Sequence, residues 1–216
     1  MEGKYKLGYW GIRGRGQVLR LLLAYTGLDW EETTYKDASQ WFGIGDKTKL
    51  GFDFPNLPYL IHGDFKLTES IAIARYIIRK SDKQDLLGKN AEDEAKIEMI
   101  ISLLDDIFTP TFSLFFSPNH QNDKTRLYDN KVKAKLEELN HFIGNKDFAI
   151  GYLTLADFRI AEASYYFEKL YHENAKNFEP IIKIRKNVEG LPQVKAYYEK
   201  GGISAPFLPT YAQLKF

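Results

Sequence analysis

One proline, Pro58, limits what this chain can fold into more than any other residue. It stands inside the run Phe54-Pro55-Asn56-Leu57-Pro58-Tyr59-Leu60-Ile61-His62-Gly63-Asp64-Phe65-Lys66-Leu67-Thr68-Glu69-Ser70, which reads as a strand, a tight hairpin and the start of a helix. Proline cannot donate to a sheet ladder, so Pro58 belongs at the first residue of a strand, and an X-Pro bond there can be cis at modest cost. Such a bond exposes the backbone of Leu57 as an edge for a peptide-like ligand. Glu69 and Ser70 then fall at a helix N-terminus, where free amides and the positive end of the dipole favour a carboxylate. The stretch is expected to be a receptor for a small anionic peptide.

The flanking segments place that receptor in a small α/β unit. Lys4–Trp10 reads as a short strand. Gln17–Thr26 reads as an apolar helix with Val18, Leu19, Leu22, Leu23 and Tyr25 turned inward and Gly27 as its stop. Trp30–Tyr35 reads as a second strand, and two strands joined by a helix in so short a span imply a right-handed parallel βαβ unit. Tyr59–Ile61 and Phe65–Leu67, joined through His62-Gly63-Asp64, form an antiparallel hairpin, followed by a helix from Glu69 to Lys80. Residues 1–82 are therefore expected to form a βαβ then ββα domain, 83–91 a polar linker and 92–216 an all-helical domain, an α+β chain.

Helical period dominates beyond the linker. Ile97, Ile100, Ile101, Leu104, Ile107 and Phe108 recur three and four apart, and Pro110 lies inside the pattern, so a kink is expected there with the helix carrying on to Phe116. Leu127, Val132, Leu136, Leu139, Phe142 and Ile143 mark the next helix, ended by Gly144. Thr154-Leu155-Ala156-Asp157 reads as a capping box opening a third, with Leu153 and Phe158 placed as a hydrophobic staple. Asp105-Asp106 interrupts the first of these apolar faces, and a buried carboxylate needs a cleft or a cation.

Composition narrows the functions. The chain has 216 residues and 44% hydrophobic content, enough for real cores. Its 30 basic and 29 acidic side chains give a net charge of +1, so the charge balance points to neither nucleic acid nor an anionic membrane as partner. It has no cysteine, which excludes disulfides and thiolate-based zinc or redox chemistry. No apolar run approaches the ~20 residues that span a bilayer, and no signal peptide is legible, so the expected address is cytoplasmic. His62, His120, His141 and His172 have no metal-ligand spacing, and no metal is expected. Gly11-Ile12-Arg13-Gly14-Arg15-Gly16 follows a strand but lacks the spacing of a dinucleotide fingerprint.

Taken together, Leu7-Gly8-Tyr9-Trp10, Ile12-Arg13-Gly14, Ser39-Gln40-Trp41, Leu50-Gly51, the run Asp53–Ile61 and Thr68-Glu69-Ser70 resemble the cytosolic glutathione S-transferases, the mu class most closely. The resemblance spans the chain, dense to about residue 80 and thinner afterwards, where the Thr154–Asp157 box matches the family's capping motif. It departs from the mu class in a shorter loop between Tyr35 and Ser39 and in the extra residues Gly43-Ile44-Gly45. It departs also in Arg15, which is more like the alpha and sigma classes, and in Glu69, where most mu enzymes carry glutamine.

The resemblance implies a thioredoxin-like first domain, a helical second domain and a homodimer. It implies a detoxifying transferase that conjugates the thiolate of reduced glutathione to hydrophobic electrophiles, with glutathione as co-substrate and no other cofactor. On this likeness Tyr9 donates a hydrogen bond to the glutathione sulfur and Arg15 adds positive charge near it. Ser70 and its neighbouring amides meet the γ-glutamyl carboxylate, Glu69 accepts from the ammonium, and the Leu57 backbone pairs with the cysteinyl unit in a turn shaped by Asn56 and Pro58. Trp41 and Lys47 meet the glycine carboxylate. Asp106, or Asp105 beside it, reaches the neighbouring subunit's glutathione, and Phe54 is the knob inserted into that subunit. An apolar electrophile site between the domains is lined by Tyr9, Trp10, Phe112, Phe116 and Tyr211. Phe116 stands where mu enzymes often carry tyrosine, so hydroxyl-assisted epoxide opening is not expected, whereas substitution on activated aromatic chlorides is. Two further readings rest on the same likeness: a sigma-type glutathione-dependent isomerase, suggested by Arg15 and the short loop, and a non-catalytic ligand-binding or structural protein of the same fold.

Overall fold

The structure is a computed structural model and describes residues 3–43 and 45–202. Contacts divide the described residues into two compact units, one made of those up to Gln84 together with those from Pro192, the other running from Asp85 to Leu191.

In the first unit, β1 (Tyr5–Trp10) is buried except at Lys6 and its last residue, Trp10. It leads into α1 (Gln17–Thr26), which Gly27 closes in the left-handed region (φ 70°), its amide donating to the Leu23 carbonyl at 3.2 Å. β2 (Trp30–Tyr35) pairs parallel to β1, with Tyr9 opposite Thr34. Two one-turn helices follow, α2 (Ala38–Trp41) and α3 (Asp46–Lys49). The first is opened by Asp37, whose carboxylate accepts the Ser39 amide at 2.7 Å. β3 (Tyr59–His62) then runs antiparallel to β1, β4 (Phe65–Thr68) antiparallel to β3, and α4 (Ser70–Arg79) completes the βαβ then ββα order that the sequence suggests. The sheet order is β2-β1-β3-β4.

Helix α1 is buried more fully than its apolar period indicates. Tyr25 is only half-buried, whereas Gln17, Arg20 and Leu21 are inside. The reason is a second layer: α4 and a late helix, α11 (Pro192–Glu199), both pack against α1. Gln17 Nε2 donates to the Tyr198 hydroxyl at 3.3 Å, and the Trp30 and Tyr197 rings lie 6.4 Å apart. Helical period shows that residues 192–199 form a helix and says nothing of the unit they join. The segment expected as a polar linker includes a 3₁₀ turn, Gln84–Leu87, that buries Leu86 and Leu87.

In the second unit, α5 (Ala91–Leu114) starts at Asn90, whose side chain accepts the Asp93 amide at 2.9 Å, and runs through Pro110. The helix expected from Leu127 to Ile143 is longer and not uniform. It comprises α6 (His120–Leu127), a π turn at Tyr128–Val132 and α7 (Lys133–Ile143). The five-residue step from Leu127 to Val132 breaks the 3.6 period, and the wider π turn absorbs it so that Val132 is still buried. Helix α8 (Leu155–Leu170) is buried along most of its length and packs against α5 and against α10 (Glu179–Glu189), which follows the short α9 (His172–Ala175). The Thr154–Asp157 box is present: one Asp157 oxygen accepts the Thr154 amide at 2.7 Å and hydroxyl at 2.9 Å, the other the Ala149 amide at 2.7 Å. No helix is long and apolar enough to cross a membrane among the described residues.

Candidate active site

Tyr9 sits near the end of β1 with its ring in the core and its hydroxyl under the loop that links β1 to α1. The Arg15 amide donates to that hydroxyl at 2.9 Å. The loop can wrap the ring this closely because of its glycines. A Cβ on Gly14 would lie 2.4 Å from the Tyr9 oxygen, and one on Gly16 2.4 Å from the ring. A hydroxyl that accepts one hydrogen bond donates its own proton more strongly, since chained hydrogen bonds polarise one another.

Arg20 supports the same tyrosine from the face of its ring. Fully buried, it donates to the Trp10 carbonyl at 3.0 Å and the Ile12 carbonyl at 2.8 Å, forks onto Glu32 at 2.6 to 3.1 Å, and places its guanidinium 5.6 Å from the Tyr9 ring centre. Removing Glu32 from such a buried pair would leave an uncompensated charge. Arg20 thus ties the end of β1, the glycine loop and β2 into one support. Sequence reasoning passed over it, although a charge in the middle of Val18-Leu19-Arg20-Leu21 is the signal of a buried ion pair.

Tyr9, Trp41 and Leu57 belong to one core cluster with Ile12, Tyr35, Phe52 and Tyr59, and Trp10 packs against it. Trp41 is 2% exposed and stacks on Tyr59 with ring centres 6.0 Å apart. Gly8 lies opposite Tyr59 in the ladder, and a Cβ there would come within 2.1 Å of the Tyr59 ring. The Tyr35 hydroxyl donates to Asp46 at 2.7 Å and lies 3.1 Å from the Tyr59 hydroxyl; burial, with these bonds, pushes its pKa far above the usual tyrosine value. Lys47, next to Asp46 on α3, places its ammonium 5.4 Å from the Phe42 ring centre.

The Leu57-Pro58 bond is cis. The Leu57 amide donates to the Asn56 side chain at 2.9 Å, and that side chain donates in turn to Glu69 at 3.2 Å. Glu69 is the one non-glycine residue with positive φ (68°) among the described residues, a costly conformation of the kind that collects at ligand sites. It delivers Ser70 as the buried first residue of α4. The Thr68 hydroxyl holds the Phe54 carbonyl at 2.9 Å, fixing the loop that carries Phe54, whose ring is 77% exposed.

The remaining expected residues lie in the helical unit. Asp105 pairs with the buried Arg159, while the more exposed Asp106 meets Lys135 at 3.0 Å. Phe112 on α5 lies among Phe108, on the same helix, and Phe115 and Phe116 just past its end, with Phe116 partly exposed. A cavity of about 300 Å³ opens on the opposite side of α5, lined by Pro110, Ser113, Leu114 and Lys131 among others, and includes neither phenylalanine. Tyr211 lies outside the described residues. No group of three or more His, Asp or Glu among the described residues could hold a metal ion.

A four-stranded thioredoxin-like sheet with a cis-proline strand and a tyrosine under a glycine loop, together with an all-helical unit, defines a class of two-part α+β proteins. Comparison with known proteins narrows the class. The model of the glutathione S-transferase N-terminal domain matches residues 5–79, and that of the C-terminal domain matches residues 105–201. The class-mu 26 kDa isozyme 51 of glutathione S-transferase from Fasciola hepatica is 36% identical, covering 90% of this chain and 88% of its own. A glutathione S-transferase of Tyrophagus putrescentiae is 35% identical, covering 91% and 90%. A crystal structure of the glutathione S-transferase Blo t 8 superposes with a TM-score of 0.84 at 27% identity, over 98% of this chain and all of that one. The chain belongs to the glutathione S-transferase family.

Proposed function

We propose that this glutathione transferase joins the sulfur of reduced glutathione to apolar electrophiles, with Tyr9 keeping the sulfur ionised. A thiol of pKa near ~8.5 is mostly protonated at neutral pH, and the thiolate is the nucleophile. A hydrogen bond donated to the anion favours it over the thiol and is worth about 1.5–3 kcal/mol, one to two pKa units. The observation that carries this reading is the Arg15 amide bonded at 2.9 Å to the Tyr9 oxygen, which fixes that hydroxyl beneath the glycine loop at the end of β1.

The tripeptide is held at three points. Its γ-glutamyl end meets Ser70, the first amides of α4 and the Glu69 carboxylate; its cysteinyl backbone meets Leu57; its glycine carboxylate meets Lys47 and the Trp41 indole N–H. Holding both ends sets the sulfur against Tyr9, so proximity supplies much of the rate. Arg15 adds positive charge on the sulfur side. Trp10 offers apolar contact to the electrophile, and the favoured reaction is substitution on activated aromatic chlorides, which needs only the thiolate. The enzyme works as a cytoplasmic homodimer, with the exposed Phe54 as the inserted knob. Asp106, the more exposed of the two and paired with Lys135, is the acid that reaches the neighbouring subunit's glutathione, since Asp105 is committed to the buried Arg159.

Tyr9→Phe tests the assignment. Turnover of a chloronitrobenzene at neutral pH is expected to fall about ten- to a hundredfold with the KM for glutathione nearly unchanged, and the ultraviolet band of bound thiolate to move to higher pH. Full turnover in the variant would remove Tyr9 from the mechanism.

A further inference from the structure

Tyr35 is the hub on which the expected glycine-carboxylate arm hangs. It is the last residue of β2, where its backbone is fixed by pairing with Trp10 of β1. Its ring meets Trp41 edge-on at 5.5 Å and Tyr59 at 6.3 Å. Its hydroxyl reaches past both rings to Asp46, at 2.7 Å, and lies 3.1 Å from that of Tyr59. Asp46 is the first residue of α3, and Lys47 is the second. A four-residue helix cannot hold its own place, because so few internal hydrogen bonds do not offset the entropy of ordering the turn. The Tyr35–Asp46 bond therefore joins α3 to the rigid sheet.

We infer that Tyr35, through its hydroxyl on Asp46, is a positioning residue that holds Lys47 for the glycine carboxylate of glutathione and so sets selectivity for the tripeptide over shorter γ-glutamyl thiols. This rests on the reading of Lys47 given above. Tyr35 does not touch substrate. Its bond fixes where the Lys47 ammonium begins its reach, and a bond made between two partly buried groups is stronger than one exchanged with water. Losing the hydroxyl frees α3 and leaves the aromatic packing of β2, Trp41 and Tyr59 in place, so the effect falls on one arm of the ligand and spares the sulfur.

The test compares glutathione with γ-glutamylcysteine, which lacks the glycine, as thiol substrates with a chloronitrobenzene. In Tyr35→Phe the KM for glutathione is expected to rise about three- to tenfold, the KM for γ-glutamylcysteine to stay the same and kcat to change less than about twofold for both. Asp46→Ala should reproduce that pattern without touching the core, and Asp46→Asn, which keeps an acceptor for the hydroxyl, should restore most of the glutathione KM. Equal KM shifts for both thiols, or a loss of kcat with KM intact, would overturn the inference by showing general loosening. Lys47→Ala separates the two levels. If it leaves the glutathione KM unchanged, the carboxylate assignment itself fails and the inference with it. If it raises that KM while Tyr35→Phe and Asp46→Ala do not, the assignment stands and only the role of Tyr35 is refuted.

Discussion

Among individual residues, two glycines set how the tyrosine works. Gly14 has φ of 40°, and a side chain there would meet the Tyr9 oxygen at 2.4 Å. Gly14→Ala is therefore expected to push the hydroxyl aside or unwrap the loop, cutting turnover about tenfold or more and costing about 1–3 kcal/mol of stability. Steady-state rates beside thermal melting would show it; an active, stable variant would mean that the loop does not grip the ring. Tyr9 is one of 14 tyrosines, and no local pattern singles it out. It was legible through the glycines and the proline strand that accompany it. Asn56 and Glu69 were picked out in the same way, whereas the hydrogen bond that joins them was not. Arg20, Tyr35 and Asp46 were not, because each acts through a partner far away in sequence, and charge or aromaticity alone does not name that partner.

Whole elements were easier to read than their joins. Caps are local chemistry, so Gly27, Pro58 and the Thr154–Asp157 box were visible in a few residues each. The π turn was visible only as a step of five between Leu127 and Val132, and the membership of α11 was not visible at all. The capping box has a titration of its own. Burial pushes the Asp157 carboxyl from 3.8 up to about 6, against the pull of the Ala149 and Thr154 donors. Between those two values the folded protein holds a proton that the unfolded chain has released. The contribution of Asp157 to stability therefore falls as pH rises through that window and is constant above it. The Asp157 carboxyl carbon resonance should titrate with a midpoint near 6, and the stability gap between the protein and Asp157→Asn should change between pH about 4 and 6 and be flat above about 7. A midpoint near 3.8 would mean that the three donors fully offset burial.

For the molecule as a whole, the first unit is discontinuous in sequence. Tyr198 on α11 holds Gln17, Gln17 accepts from Arg20 at 3.4 Å, and Arg20 lies over the Tyr9 ring. Ending the chain after Leu191 is expected to strip hydrogen-exchange protection from α1 and β1 while α5 and α8 keep theirs, since Gln17 and Trp30 would lose their cover. Equal protection throughout would show that α11 is dispensable. The same arrangement bears on synthesis. At ordinary elongation rates Pro192 leaves the ribosome about 5–20 s after Gln84, so the sheet and α1 spend that interval waiting for α11. Nascent chains of this enzyme should therefore leave α1 uncovered on its α11 side until Pro192–Glu199 has been made, although α1 is among the first segments translated.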